Sequence, residues 1–141
     1  MKYPTASSAQ QMQERTAITE SATPAHPTIF QFDLWLATLP KQPGSHVQSG
    51  LRPVIIVSSD AANSNSNLVS VIPLTTNLEH TQRPTHVLIC NKDLRSHSRA
   101  LVEQIITLDK YRLKHRIGRI EDPFEKLSIH HAIALQLGLT A

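Results

Sequence analysis

Gly50-Leu51-Arg52-Pro53-Val54-Ile55-Ile56-Val57-Ser58 and Leu68-Val69-Ser70-Val71-Ile72-Pro73-Leu74-Thr75-Thr76-Asn77 are two apolar runs joined by a polar link, Ser59 to Asn67. The first is apolar on both faces from Val54 to Val57, which predicts a central strand buried from two sides. Taken as neighbouring strands, the pair brings Arg52, at the entrance of one, and Thr75, at the end of the other, to one rim of a small sheet. A permanent cation beside a hydroxyl is a plausible site for a phosphodiester.

Working outward, Phe30, Phe32, Leu34 and Leu36 alternate with Gln31, Asp33 and Trp35, the period of a half-buried first strand. Leu39 to Ser45, with two prolines and a glycine, reads as a loop. Thr85 to Ile89 predicts a fourth strand, Ala100 to Thr107 a fifth, and Arg116 to Ile120 a sixth, with a short helical turn over Asp109 to Leu113. Asp122 is placed as an N-cap, Pro123 at the first helical position and Glu125 where a capping-box acid belongs, so a helix is predicted to run to Leu137 and stop at Gly138. Phe124, Leu127, Ile133, Ala134 and Leu137 give that helix its apolar face. The connections are too short for parallel βαβ units. Short strands with one terminal helix predict a mainly β (α+β) fold, a small curved sheet or barrel.

Residues 1–28 differ from the rest. Sixteen of these twenty-eight are Ala, Ser, Thr or Gln, none is Leu, Val, Phe or Trp, and three prolines interrupt the segment. Such a stretch cannot bury enough apolar surface to offset chain entropy. It is expected as a weakly structured arm, with weak helical character over Gln10 to Glu20, ahead of one domain at 29–141. The arm lacks the apolar core of a secretory signal. No run in the chain approaches the ~20 apolar residues of a membrane span. A single cysteine, Cys90, excludes an intramolecular disulfide framework and fits a reducing cytoplasm; it is expected as a small core or edge residue. Net charge is +3, yet nine of the Lys and Arg residues fall between Arg83 and Arg119, against three acids. That excess fits either a polyanion partner or a solvated basic face.

Each candidate has a structural alternative. Arg52, held extended by Pro53, needs an anionic ligand or a carboxylate such as Glu103. Thr75, Thr76 and Asn77 also suit local turn chemistry. Glu103 and Gln104, on a strand, point to opposite faces, and either can serve a structural bond. The eight histidines show no zinc spacing, and adjacent His130 and His131 do not share a helix face, so no metal is expected. P-loop, dinucleotide-binding and nucleophile-elbow motifs are absent.

Taken together, these segments resemble the MazF/PemK toxin family. The resemblance is carried by Asp33-Leu34-Trp35-Leu36, Gly44-Ser45, Gly50 to Ser58, Asp60-Ala61-Ala62-Asn63 and Pro73 to Asn77. It continues through Pro84-Thr85-His86-Val87, Leu101 to Ile105, Thr107 to Lys110, Arg112-Leu113, Arg116 to Arg119 and Ala134 to Leu139, and spans residues 29–140. It implies an SH3-like small β-barrel with a C-terminal α-helix, working as a homodimer. It also implies a cytoplasmic, metal-independent endoribonuclease that needs no cofactor, cuts single-stranded RNA and is restrained by a cognate antitoxin, with DNA met only through that antitoxin and no membrane contact. The family's catalytic arginine and threonine fall on Arg52 and Thr75. The RNA-contacting Ser and Gln of its loop fall on Ser45 and Gln48, and His46, in the altered part of that loop, is a further RNA-binding candidate. Thr76 and Asn77 adjoin the catalytic threonine, and the Glu-Gln pair of the later strand falls on Glu103 and Gln104. Three positions depart from the usual pattern: the loop is one residue longer and lacks its glutamate, Phe32 replaces a glycine, and Ile106 replaces an arginine.

RNA carries its own nucleophile, the 2′-hydroxyl. Arg52 suits electrostatic stabilisation or acid catalysis, since a guanidinium stays protonated, and His46 is the candidate base. Two other readings use the same barrel without catalysis: a related toxin that poisons DNA gyrase, and a degenerate module that only binds.

Overall fold

The computed structural model describes residues 28–78 and 82–139, so most of the N-terminal arm lies outside the described residues. Seven strands, β1 (Asp33–Leu39), β2 (Gly50–Ile56), β3 (Leu68–Thr75), β4 (His86–Ile89), β5 (Ser98–Leu101), β6 (Ile106–Asp109) and β7 (Leu113–Arg119), form one antiparallel sheet. The strand order is β4-β5-β3-β2-β1-β7, with β6 also paired to β3. Helix α1 (Asp60–Ser64) lies between β2 and β3, and helix α2 (Pro123–Leu137) closes the domain. The fold class is the one expected. The sheet does not close by hydrogen bonding: β4 and β7 remain its two ends.

Central strands are buried from both sides, as the apolar run of β2 requires. Leu34, Ile55, Ile72 and Leu74 face one core, capped by Ile129 and Ala132 of α2, while Trp35, Ala37, Val54, Ile56 and Val71 face a second core. Each fully buried aliphatic side chain stabilises this arrangement by roughly 1.5–3 kcal/mol relative to exposure.

The first strand departs from its expected half-buried phase. It begins only at Asp33 and runs between β2 and β7, so Asp33 and Trp35 are buried along with Leu34. Asp33 is accommodated by four groups. Its Oδ2 accepts from the Phe30 amide at 2.9 Å and the Trp35 indole at 3.5 Å, and its Oδ1 faces Arg116 Nε at 3.4 Å and Arg119 Nε at 3.8 Å. Phe32 immediately before it has φ 73°, a left-handed conformation that costs a side-chain-bearing residue roughly 1–2 kcal/mol. The glycine usual at this position fits that backbone. Here the strain is offset by a buried ring that packs in the α2 core, 5.0 Å from the His130 ring.

Further details differ from expectation. The polar link after β2 contains α1, capped by Ser59 and anchored by buried Asn63; five residues are too few to show a helical period. The fifth strand is two strands, β5 and β6, separated by a 3₁₀ turn at Val102–Gln104. Partners on β3 sum to 174 for β5 (Leu74 with Ala100) and to 177 for β6 (Val71 with Ile106), so three extra residues leave the ladder at the turn. Pro73, which has no N–H to offer, lies on β3 between the two registers. Cys90 is exposed. On α2 the predicted ends hold: Asp122 Oδ1 accepts from the Phe124 amide at 2.9 Å, and Gly138 is left-handed at φ 69°. Its packing face is Ile129 and Ala132 with Ile133, whereas Phe124, Leu127 and Leu137 point outward at 78%, 66% and 55% exposure. Glu125, expected in a capping box, instead accepts from the Cys90 amide at 2.9 Å and ties the helix to the end of β4.

Candidate functional site

The β2–β3 ladder pairs Val54 with Pro73, Ile55 with Ile72 and Ile56 with Val71. Continued by two residues, this register sets Arg52 opposite Thr75. Opposed residues of antiparallel strands share a face, and here it is the face of Val54 and Val71. Arg52 is half-buried, and its Nε donates to the Ser49 carbonyl at 2.8 Å. Its two terminal nitrogens have no partner among the described residues. The alternative ion pair with Glu103 is not formed. Thr75 is buried, and its Oγ1 accepts from the Asn77 amide at 3.1 Å, the expected turn bond, which leaves the hydroxyl proton to donate.

Thr75 lies in a cleft of about 520 Å³ that also gathers His46, Gln48, Asn77, Glu103 and Gln104. Six of the nine residues expected from sequence therefore meet in one cavity. Arg52 is on the strand rim rather than in its lining. Ser45 is exposed and accepts from the Val47 amide at 3.2 Å. Thr76 borders a separate cavity of about 440 Å³ shared with Pro53, as strand alternation from Thr75 and Arg52 demands. A slightly larger cavity, about 590 Å³, lies between β4 and α2; it holds none of the nine but shares His86 as a wall with the cleft.

The 3₁₀ turn delivers Glu103 and Gln104 to the cleft together, so they are not on opposite faces of a strand. Glu103 accepts from Thr85 Oγ1 and from His86 Nε2, both at 3.0 Å. Burial works against its charge, but the bonds from His86, its own backbone and Thr85 outweigh that and hold its carboxyl below the ordinary value. Gln104 Oε1 accepts from the Gln48 amide at 2.8 Å and pins the longer loop in place. Ile106, which replaces an arginine, packs against the Trp35 core, where a charge would be costly.

Sequence reasoning assigned no role to His86, Arg83 or Arg99, all of which border the cleft. Arg99 is signalled only by being a charge two residues before Leu101 in an apolar run. The basic window, by contrast, is not one patch. Arg116 and Arg119 face Asp33, Lys92 pairs with Asp93, Arg112 donates to the Thr38 carbonyl and Lys110 to the Asn63 carbonyl. Among the described residues no cluster of three His, Cys, Asp or Glu side chains could hold a metal ion.

Residues 30–135 match the model of the PemK-like, MazF-like toxins of type II toxin–antitoxin systems. An endoribonuclease MazF from Staphylococcus saprophyticus is 39% identical over 109 residues, covering 76% of this chain and 89% of that one. Among solved structures, a mycobacterial endoribonuclease in complex with its cognate antitoxin is 25% identical and superposes with a TM-score of 0.63, over 80% of this chain and 98% of that one. MazF from Deinococcus radiodurans shares the fold at 19% identity, with a TM-score of 0.69 over 80% of this chain and 99% of that one. By the extent of the family match and the identity to its staphylococcal relative, the chain belongs to the PemK/MazF-like family of type II toxins.

Proposed function

We propose that the protein is the toxin of a type II toxin–antitoxin pair and cleaves single-stranded RNA, with Arg52 and Thr75 as its catalytic residues. The observation that carries this reading is the strand register that sets an arginine with two unengaged nitrogens opposite a hydroxyl at the rim of a cleft. The 2′-oxygen attacks phosphorus, the bond to the 5′-oxygen breaks, and a 2′,3′-cyclic phosphate and a 5′-hydroxyl remain. The Arg52 fork binds phosphoryl oxygens as charge builds on them. Thr75 donates to the same phosphate and holds it in line. The 2′-hydroxyl proton passes to a base, for which His46 on the loop wall is the candidate, and a proton is returned to the departing 5′-oxygen. Thr76 and Ser45, outside the cleft lining, serve RNA segments that run beyond it.

The setting proposed is the cytoplasm; among the described residues no helix is long and apolar enough to cross a membrane. The working form is a homodimer held in check by a cognate antitoxin. The exposed apolar residues of α2 favour the dimer, because they leave a surface for a second copy to cover.

The test is incubation of the purified protein with a long RNA and with its 2′-deoxy counterpart, in EDTA. Cleavage of the RNA alone, abolished by Arg52→Ala, is the expected result. An intact RNA, or cleavage that survives Arg52→Ala, refutes the assignment.

A further inference from the structure

Thr75 has a neighbour on its other side. The β3–β5 ladder pairs Leu74 with Ala100 and Thr75 with Arg99. Arg99 is therefore opposed to Thr75 from β5, as the β2 register opposes Arg52 to it, and the three residues occupy adjacent strands with a common face. Two strand spacings, about 10 Å, separate the backbones of the two arginines, with the hydroxyl midway between them. Side chains of this length, rooted on either side of the hydroxyl, can both reach a phosphate held above it.

Three properties suit Arg99 to an anion. It borders the cleft together with Thr75. It is only 9% exposed, so its charge acts in a poorly screened setting. Its Nη2 donates to the Leu78 carbonyl at 3.3 Å, which orients the guanidinium before any ligand arrives.

We propose that Arg99 is a second phosphate-binding arginine of the cleft, gripping RNA from β5 on the side of Thr75 away from Arg52. This rests on the nuclease reading above and adds a substrate contact to it. In such a site Arg52 and Arg99 share the charge that develops on the phosphoryl oxygens, and Thr75 holds the phosphate between them.

The experiment uses the full chain with Arg99→Gln and Arg99→Lys. Cleavage of a long RNA is followed under single turnover. Binding of the unreactive 2′-deoxy strand is measured across a salt titration, and a melting curve reports folding. Arg99→Gln is expected to lower the cleavage rate about 100-fold and to reduce the salt slope of binding by about one. Arg99→Lys keeps the charge without the fork, so it is expected to keep the slope while losing part of the rate. If both variants lose only melting temperature, while the folded protein cuts and binds like the parent, Arg99 serves the fold alone and the proposal falls. If the parent binds the strand but cuts no RNA, the nuclease reading fails on its own. The salt slope of Arg99→Gln then still decides the phosphate contact: a reduced slope upholds it and an unchanged slope overturns it. A parent that neither binds the strand nor cuts the RNA overturns both.

Discussion

The two walls of the cleft are built by different means. The β2–β3 wall, with Thr75 in the lining and Arg52 at its rim, is a continuous ladder in which one register fixes every pair. The wall opposite is an interruption: the 3₁₀ turn between β5 and β6 puts Glu103 and Gln104 where no ladder position would place them. The regular wall fixes the reacting groups through backbone pairing. The irregular wall depends on side-chain bonds, from Thr85 and His86 to Glu103 and from the Gln48 amide to Gln104. Damage to the first should stop chemistry in a folded protein, and damage to the second should loosen the cleft while leaving chemistry in place.

The largest effect is expected on the regular wall. Arg52→Ala removes the fork but leaves the strand pairs intact, so the cleavage rate should fall by about 1000-fold or more with little change in melting temperature. A variant that loses rate only in proportion to folded protein would erase the distinction between the walls.

Next comes the strand that supports β2 from its other side. Phe32→Gly relieves the left-handed strain but vacates a buried aromatic position, for which truncation costs roughly 3–5 kcal/mol. The net loss of stability should be about 2 kcal/mol, read from denaturant unfolding. A stabilised Phe32→Gly protein would mean that the ring contributes less than its strain costs.

The difference between the walls also governs what the sequence revealed. Apolar residues in both phases of Val54 to Val57 declared β2 central, and neighbouring strands put Arg52 and Thr75 on one rim; the register that opposes them comes from the β2–β3 ladder. The ends of α2 were legible for a similar reason, since Asp122, Pro123 and Gly138 act on their own backbone. What was hidden depends on distant partners. The fifth strand looked continuous because its break is specified by the β3 pairing and not by any residue within Ala100 to Thr107. Asp33 looked solvent-facing because Arg116 and Arg119 lie more than eighty residues away in the chain. The outward Phe124 and Leu127 looked like core because composition does not say which face of a helix meets the sheet.

A smaller effect is expected at the loop tether. Gln104→Ala removes the acceptor of the Gln48 amide, a bond worth roughly 1 kcal/mol. KM should rise several-fold through a less ordered loop, with kcat close to the parent value. An equal fall in kcat would place Gln104 in the chemistry instead.

The smallest effect tests the irregular wall by pH. Glu103 titrates lower in the folded protein than its ordinary 4.5, because the bonds from His86, its own backbone and Thr85 outweigh burial. The folded state thus binds fewer protons than the unfolded chain across this window, and stability rises with pH through it. The contribution is complete above about pH 4.5 and is lost as pH falls through the lowered folded value. Glu103 is partly exposed, so solvent screening keeps the effect small. Glu103→Gln cannot ionise, so its deficit in melting temperature should be present near neutral pH and should shrink as the parent carboxylate protonates at acid pH. A deficit of equal size at both ends would mean that the turn is held by the shape of the side chain and not by its charge, and the two walls would then differ in geometry alone.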